Sequence, residues 1–133
     1  MLLLAVPASA GAHAVLLTSS PGWEAVLGAA PRVVTLRYDE DVVSAYARVA
    51  VESPGGRDLA GPPRVTGSVV VVPVEAGRAG SYTVRWKMVA SDDGHVTEGA
   101  FSFGVRAKPL PPAPQSGVGV PVAPAMARAP PDL

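Results

Sequence analysis

The chain has 133 residues, of which 48% are hydrophobic, so it is long enough and apolar enough for one domain with its own core. Its 11 basic and 11 acidic side chains cancel to a formal net charge of zero, which argues against nucleic acid as the partner and against a polybasic membrane-surface role. The chain contains no cysteine, which excludes disulfides, thiolate metal ligands and a cysteine nucleophile.

Residues 1–12 have the composition of the apolar part and the cleavage region of a secretory signal peptide. Two overlapping small-x-small patterns, at residues 8–10 and 10–12, stand where a signal peptidase would cut. The segment is short and has no Lys or Arg near Met1, so an apolar first strand is the alternative interpretation. We expect residues 1–12 to be a signal peptide and the protein to be exported to the periplasm, the cell envelope or the medium. No later apolar run is long enough to span a bilayer, so we expect a soluble mature protein.

Alternation of apolar and polar side chains predicts strands through the middle of the chain. The clearest patterns cover residues 32–38, 81–89 and 97–105, and further Val-rich candidates cover 14–18, 45–52 and 68–74. The predicted buried faces carry Val34, Leu36, Tyr38, Tyr82, Val84, Trp86, Met88, Phe101, Phe103 and Val105. Only residues 24–27 suggest a turn of helix. About seven short strands within residues 13–107 predict an all-β fold, a small antiparallel Greek-key β-barrel or sandwich of the immunoglobulin-like kind.

The composition changes after this region. Residues 109–133 contain eight prolines and little charge. Such a segment cannot bury enough apolar surface to form a core, so residues 108–133 are predicted to be a Pro-rich flexible tail.

The tripeptide Asp93-Gly94-His95 places a carboxylate and an imidazole two residues apart. In an extended segment residues i and i+2 project from the same side, so the two side chains could hold one metal ion. The pattern alone is weak evidence, because it also fits a solvated turn followed by a surface histidine.

His13 strengthens the case for a metal ion. If the signal is cut after Ala12, His13 becomes the first residue, and its free amine and Nδ1 close a six-membered chelate ring. Together with Asp93 and His95 they supply three nitrogens and one oxygen, a tetragonal set that favours Cu(II). A cut after Ala10 would instead leave a Gly-Ala-His start, whose amine, two deprotonated amides and imidazole fill a square plane without help. The residues alone leave both starts open.

The sequence resembles the CopC family of exported copper-binding proteins. The resemblance lies in HAVLLTSSPG (13–22), GAAP (28–31), LRYDEDV (36–42) and AGSYTVRWKMVASDDGHVTEGAFSFGV (79–105). It implies a Greek-key β-barrel and a Cu(II) site made by the amine and ring of His13 with Asp93 and His95. This favours cleavage after Ala12. It also suggests Glu40 as a residue close to the ion, although a solvated acidic turn shared with Asp39 and Asp41 explains Glu40 equally well.

Two features depart from the family pattern. Met1, Met88 and Met126 are too dispersed to form the thioether Cu(I) site of some members, so we expect one Cu(II) site only. Val96 follows the histidine where a proline is common, which should not disturb ligation.

These observations favour a binding protein over an enzyme. We expect an exported, monomeric Cu(II) carrier or buffer in copper resistance or import, and the resemblance points to an inner-membrane copper transporter of the CopD type as its partner. The alternatives are a copper oxidative enzyme with a histidine-brace site and a structural β-sandwich module without metal. An amine titrates near ~7.7–8.0 and an imidazole near ~6.5, so copper affinity should fall below about pH 6.

Overall fold

Two four-stranded sheets enclose one core in the computed structural model, which describes residues 14–113. The strands are β1 (Leu16–Ser20), β2 (Val26–Leu27), β3 (Val33–Tyr38), β4 (Arg48–Glu52), β5 (Arg64–Thr66), β6 (Val69–Pro73), β7 (Gly80–Val89) and β8 (Val96–Val105), with a single 3₁₀ turn at Ser44–Tyr46. The first sheet has the order β1-β3-β6-β5 and the second the order β2-β8-β7-β4. The predicted all-β class is confirmed, and of its two forms the chain adopts the sandwich rather than the closed barrel.

The sheets are antiparallel except at one edge. The short strand β2 runs parallel to β8, with Val26 opposite Gly104 and Leu27 opposite Val105. The helical turn predicted at residues 24–27 was therefore wrong. The carbonyls of Ala25 and Leu27 accept hydrogen bonds from Gly104 and Arg106, so pairing with β8 satisfies the backbone in an extended form.

The core follows the predicted alternation. Side chains 34, 36 and 38 of β3, 82, 84 and 88 of β7, and 101, 103 and 105 of β8 are all buried. Tyr82 and Phe103 stand opposite each other on β7 and β8, and their rings stack with centroids 5.3 Å apart. Trp86 is only partly buried at the side of this core. Its indole lies against Gly99, so the missing side chain of Gly99 provides the space for the ring.

Residues 107–113 cross the outer face of the second sheet. The backbone N–H of Leu110 donates to Ser81 Oγ at 2.8 Å, and the guanidinium of Arg85 donates to the carbonyl of Ala113. The carbonyl of Ala107 lies where a side chain on Gly104 would stand, which accounts for glycine there. Residues 108–113, the first part of the segment predicted as a tail, therefore contact β7 and β8 in the described chain. The remainder, residues 114–133, lies outside the described residues, as do residues 1–13 with the predicted signal peptide.

One end of the sandwich gathers the loop after β3 and the turn between β7 and β8. The backbone N–H of Ser91 donates to the carbonyl of Asp41 at 3.0 Å, and that of Val43 donates to Val89 at 2.9 Å. These bonds hold the loop after β3, here called the acidic loop (residues 39–41), against the turn that carries His95. Within residues 14–113, no helix has the length and hydrophobicity that a membrane span requires.

Candidate metal centre

The turn between β7 and β8 carries the Asp-Gly-His motif. The strands end at the pair Val89 and Val96, and residues 90–95 connect them. The N–H of Ala90 donates to the carbonyl of His95, and the N–H of Gly94 donates to the carbonyl of Ala90, both at 2.9 Å. Gly94 has a φ of 77°, a left-handed conformation that glycine adopts without steric cost. The sequence argument assumed an extended segment, and that premise was wrong, because a closed turn forms here.

The turn brings Asp93 and His95 into direct contact. Oδ1 of Asp93 accepts the backbone N–H of His95 at 3.1 Å, and Oδ2 lies 2.8 Å from Nδ1 of the imidazole. Both side chains are accessible, with 31% of Asp93 and 52% of His95 exposed. The hydrogen bond from the His95 ring, reinforced by the one from its backbone, lowers the pKa of the Asp93 carboxyl below its ordinary value.

The spacing of this pair suits a metal ion. Metal–ligand bonds of about 2.0–2.1 Å place adjacent corners of a square plane about 2.8–3.0 Å apart. Nδ1 and Oδ2 already have a separation of 2.8 Å. Two donors are too few for a tight site, and residues 14–113 contain no group of three or more His, Cys, Asp or Glu side chains arranged to hold a metal. A metal site built on this pair would need further donors.

The start of the described chain lies beside this turn. Ala14 is fully buried, and its carbonyl accepts a hydrogen bond of 2.9 Å from the hydroxyl of Thr97, two residues after His95. His13 lies outside the described residues, but it is bonded to Ala14, and consecutive Cα atoms are about 3.8 Å apart. The fold thus anchors the residue next to His13 on the strand that begins just after the Asp-Gly-His motif.

The acidic loop after β3 contains Glu40, the residue suggested by the family resemblance. Glu40 is half-buried, and its loop is held to the turn by the carbonyl of Asp41, which accepts both the backbone N–H and the hydroxyl of Ser91. Asp39 has a different role, which sequence reasoning missed. Its Oδ1 accepts the backbone N–H of Val15 at 2.8 Å. Nothing in the local sequence signals this bond, because its partners are 24 residues apart.

An aromatic pair packs between the two sheets. The rings of Tyr38 and Trp86 meet edge to face with centroids 5.4 Å apart. The hydroxyl of Tyr38 is buried and has no hydrogen-bond partner among the described residues. Burial raises the pKa of this phenol well above its ordinary value.

Comparison with known proteins identifies the family. The model of the CopC domain matches residues 16–106, a span that includes the acidic loop and the Asp-Gly-His turn. The chain belongs to the CopC family. Protein YobA of Escherichia coli K12 is 31% identical over 106 residues, which cover 76% of this chain and 85% of YobA. Copper resistance protein C of Pseudomonas syringae pv. tomato is 32% identical over 111 residues, which cover 76% of this chain and 86% of that protein.

Solved structures show the same CopC fold. The crystal structure of CopC from Methylosinus trichosporium OB3b superimposes with a TM-score of 0.66 at 26% identity, covering 70% of this chain and 93% of that one. PcoC from Escherichia coli, described as a methionine-rich copper resistance protein, superimposes with a TM-score of 0.59 at 24% identity, covering 71% and 99%. The second match supports the fold alone.

Proposed function

We propose that the mature protein begins at His13 and binds one Cu(II) ion with the amine and ring of His13, the carboxylate of Asp93 and the imidazole of His95. The single observation that carries this proposal is the contact between Asp93 and His95 beside the anchored carbonyl of Ala14. Two donors are already paired, and the residue that would supply the other two is attached to a buried, hydrogen-bonded neighbour. Glu40, on the loop that abuts the turn, lies close to the ion in this proposal.

The available donors favour Cu(II) over Cu(I). Three nitrogens and one oxygen form a tetragonal set, and Cu(II) stands at the top of the affinity order for divalent ions. Soft thioether ligands would be needed to prefer Cu(I). Met88 is fully buried in the core, and the chain has only two other methionines, Met1 and Met126. This distinguishes the chain from its methionine-rich structural relative.

The proposed biological role is that of an exported copper carrier or buffer. Family membership, and the relative named for copper resistance, support copper as the cargo. The signal-like composition of residues 1–12 supports export to the periplasm or cell envelope, and a soluble monomer is part of the proposal. A CopD-type inner-membrane transporter is the proposed recipient. With Asp93 as the fourth ligand the square plane is filled, so we infer a carrier rather than an oxygen-activating enzyme.

Three versions of the chain test this proposal. The first begins at His13, the second carries one additional alanine before His13, and the third begins at Gly11. Isothermal titration with Cu(II) at pH 7 should give one site in the first version. The added alanine should weaken that site at least tenfold, which is about 1.4 kcal/mol, because the nitrogen of His13 becomes a peptide nitrogen and no longer offers a free amine beside the ring.

The His95→Ala substitution completes the experiment. It should weaken copper binding in the chain that begins at His13 and leave binding unchanged in the chain that begins at Gly11, whose terminal tripeptide fills the plane alone. Equal affinities for the His13 chain with and without His95 would overturn the proposed site.

A further inference from the structure

A hydrogen bond ties the first described residue to the strand that follows the Asp-Gly-His turn. The hydroxyl of Thr97 donates to the carbonyl of Ala14 at 2.9 Å, and the bond is partly buried. Its partners are 83 residues apart in sequence. The Ala14 side chain is fully buried, so the position of the chain is fixed by packing as well as by this bond.

The next residue is held from the opposite sheet. The N–H of Val15 donates to Oδ1 of Asp39 at 2.8 Å, and the N–H of Asp39 donates to the carbonyl of Val15 at 3.0 Å. Asp39 follows β3 in the first sheet, whereas Thr97 lies on β8 in the second. Residues 14 and 15 are thus held between the two sheets, although they precede the first strand. We call the hydrogen bonds that join Thr97 and Asp39 to these two residues the clamp.

We propose that Thr97 and Asp39 are positioning residues for the copper site. This inference rests on the proposed function, because it assigns to the clamp the task of directing His13 towards Asp93 and His95. A chain terminus ordinarily retains its conformational freedom, and a ligand on a free terminus must lose that freedom when the ion binds. By ordering residues 14 and 15 in the metal-free protein, the clamp lowers this cost and tightens binding.

Neither residue needs to touch the ion in this role. The hydroxyl of Thr97 and Oδ1 of Asp39 are both occupied by backbone groups of the chain start. Their effect acts through the backbone next to His13, so it depends on the hydrogen bonds and not on charge.

Matched substitutions of Thr97 test this assignment in the chain that begins at His13. Thr97→Val keeps the shape of the side chain and removes the hydroxyl, whereas Thr97→Ser keeps the hydroxyl. We expect Thr97→Val to weaken Cu(II) binding about three- to tenfold, the value of one net hydrogen bond, and Thr97→Ser to stay within about twofold of the unsubstituted protein.

Asp39 provides a second pair that controls for charge. Asp39→Asn and Asp39→Ala both remove the negative charge, but only asparagine retains a side-chain oxygen for the N–H of Val15. Copper binding should be about three- to tenfold weaker in Asp39→Ala than in Asp39→Asn. Because this comparison is made between two neutral variants, altered attraction of the cation cannot produce the difference.

Thermal unfolding separates positioning from plain stabilisation. Substitution of a residue that only stabilises the fold lowers Tm equally with and without copper, so the copper-induced rise in Tm stays the same. Substitution of a positioning residue reduces that rise, because the rise depends on the dissociation constant of copper, which the substitution raises. A smaller rise in Thr97→Val with recovery in Thr97→Ser supports the proposal.

Two results would count against different claims. The positioning role is overturned if the copper-induced rise in Tm is unchanged in Thr97→Val and the two Asp39 variants bind copper equally. The proposed function still stands in that case if copper binding by the unsubstituted chain depends on His95. If the unsubstituted chain that begins at His13 binds copper without needing His95, the proposed function itself fails.

Discussion

Asp93 and His95 contact each other twice, through the backbone N–H of His95 on Oδ1 and through Nδ1 on Oδ2 at 2.8 Å. The two side chains are therefore already paired in the metal-free protein. In the proposed site, metal binding would exchange one hydrogen bond for two metal bonds and leave the turn as it is. A preformed pair of this kind costs little conformational entropy on binding.

The pairing makes a prediction for the metal-free protein. The His95 ring, and secondarily its backbone N–H, lower the pKa of Asp93, so this carboxyl should titrate below the usual aspartate range. Because this pKa is lower in the folded than in the unfolded state, the ionised carboxylate stabilises the fold at pH values above the unfolded pKa of about 3.9. This stabilisation is lost as the pH falls through the folded-state pKa. Carboxyl-detected NMR titration should show the low midpoint, and His95→Ala should move it up. The same midpoint in both proteins would show that His95 does not hold Asp93.

Gly99 should be intolerant of a side chain. A Cβ at this position would stand 2.7 Å from Cζ2 of Trp86, and the indole is wedged between Gly99 and the core. Overpacking of this kind costs about 1–3 kcal/mol. We expect Gly99→Ala to lower the free energy of unfolding in urea by that amount. Gly28→Ala is the control, because a Cβ there meets open space, and an equal effect of the two substitutions would refute the packing argument.

Tyr38→Phe should not destabilise the protein at neutral pH. Its hydroxyl is buried without a partner among the described residues, so removing it relieves a desolvation cost of about 1–3 kcal/mol in part. Tyr46, which is 58% exposed, provides the control substitution Tyr46→Phe. Urea unfolding should place Tyr38→Phe at or above the unsubstituted protein, and a loss of 1 kcal/mol or more would indicate a hydrogen bond that the structure lacks.

The same residue gives the protein a dependence on alkaline pH. Burial raises the folded-state pKa of Tyr38 above the unfolded value of about 10. The contribution of the neutral phenol to the free energy of unfolding is therefore complete below about pH 10 and is lost as the pH rises through the folded-state pKa. Unfolding measured between pH 8 and about 11 should therefore show a steeper decline for the unsubstituted protein than for Tyr38→Phe. Parallel declines would mean that Tyr38 ionises freely.

Residues 107–113 should contribute to stability. A chain ending at Arg106 loses the bonds from Leu110 to Ser81 and from Arg85 to Ala113, and it uncovers Gly104. Two such hydrogen bonds are worth about 1–3 kcal/mol together. Urea unfolding should rank this chain below one that ends at Ala113. Identical curves would show that residues 107–113 act as a tail after all.

The sequence was most informative where neighbouring residues decide the structure. Alternation along β3, β7 and β8 predicted the side of each strand that faces the core, because residues i and i+2 of a strand point to the same side. It failed at residues 24–27, where no local pattern reveals a two-residue strand whose partner lies in β8. It also could not show that residues 107–113 return to the sheet, because proline-rich composition describes the segment and not the surface that receives it.

The candidate site divides in the same way. The Asp-Gly-His pattern predicted two adjacent side chains, and they are adjacent, although a glycine turn rather than an extended strand brings them together. The clamp on residues 14 and 15 was invisible in the sequence. Thr97 and Asp39 lie far from their partners along the chain, and an isolated threonine or aspartate carries no signature of such a bond.

Pulsed electron paramagnetic resonance of the Cu(II)-loaded chain that begins at His13 counts the imidazoles bound to the ion. We predict two imidazoles and one amine nitrogen in the unsubstituted protein, and one imidazole after His95→Ala. A spectrum with one imidazole and deprotonated backbone amides, unchanged by His95→Ala, would contradict a site shared between the chain start and the turn between β7 and β8.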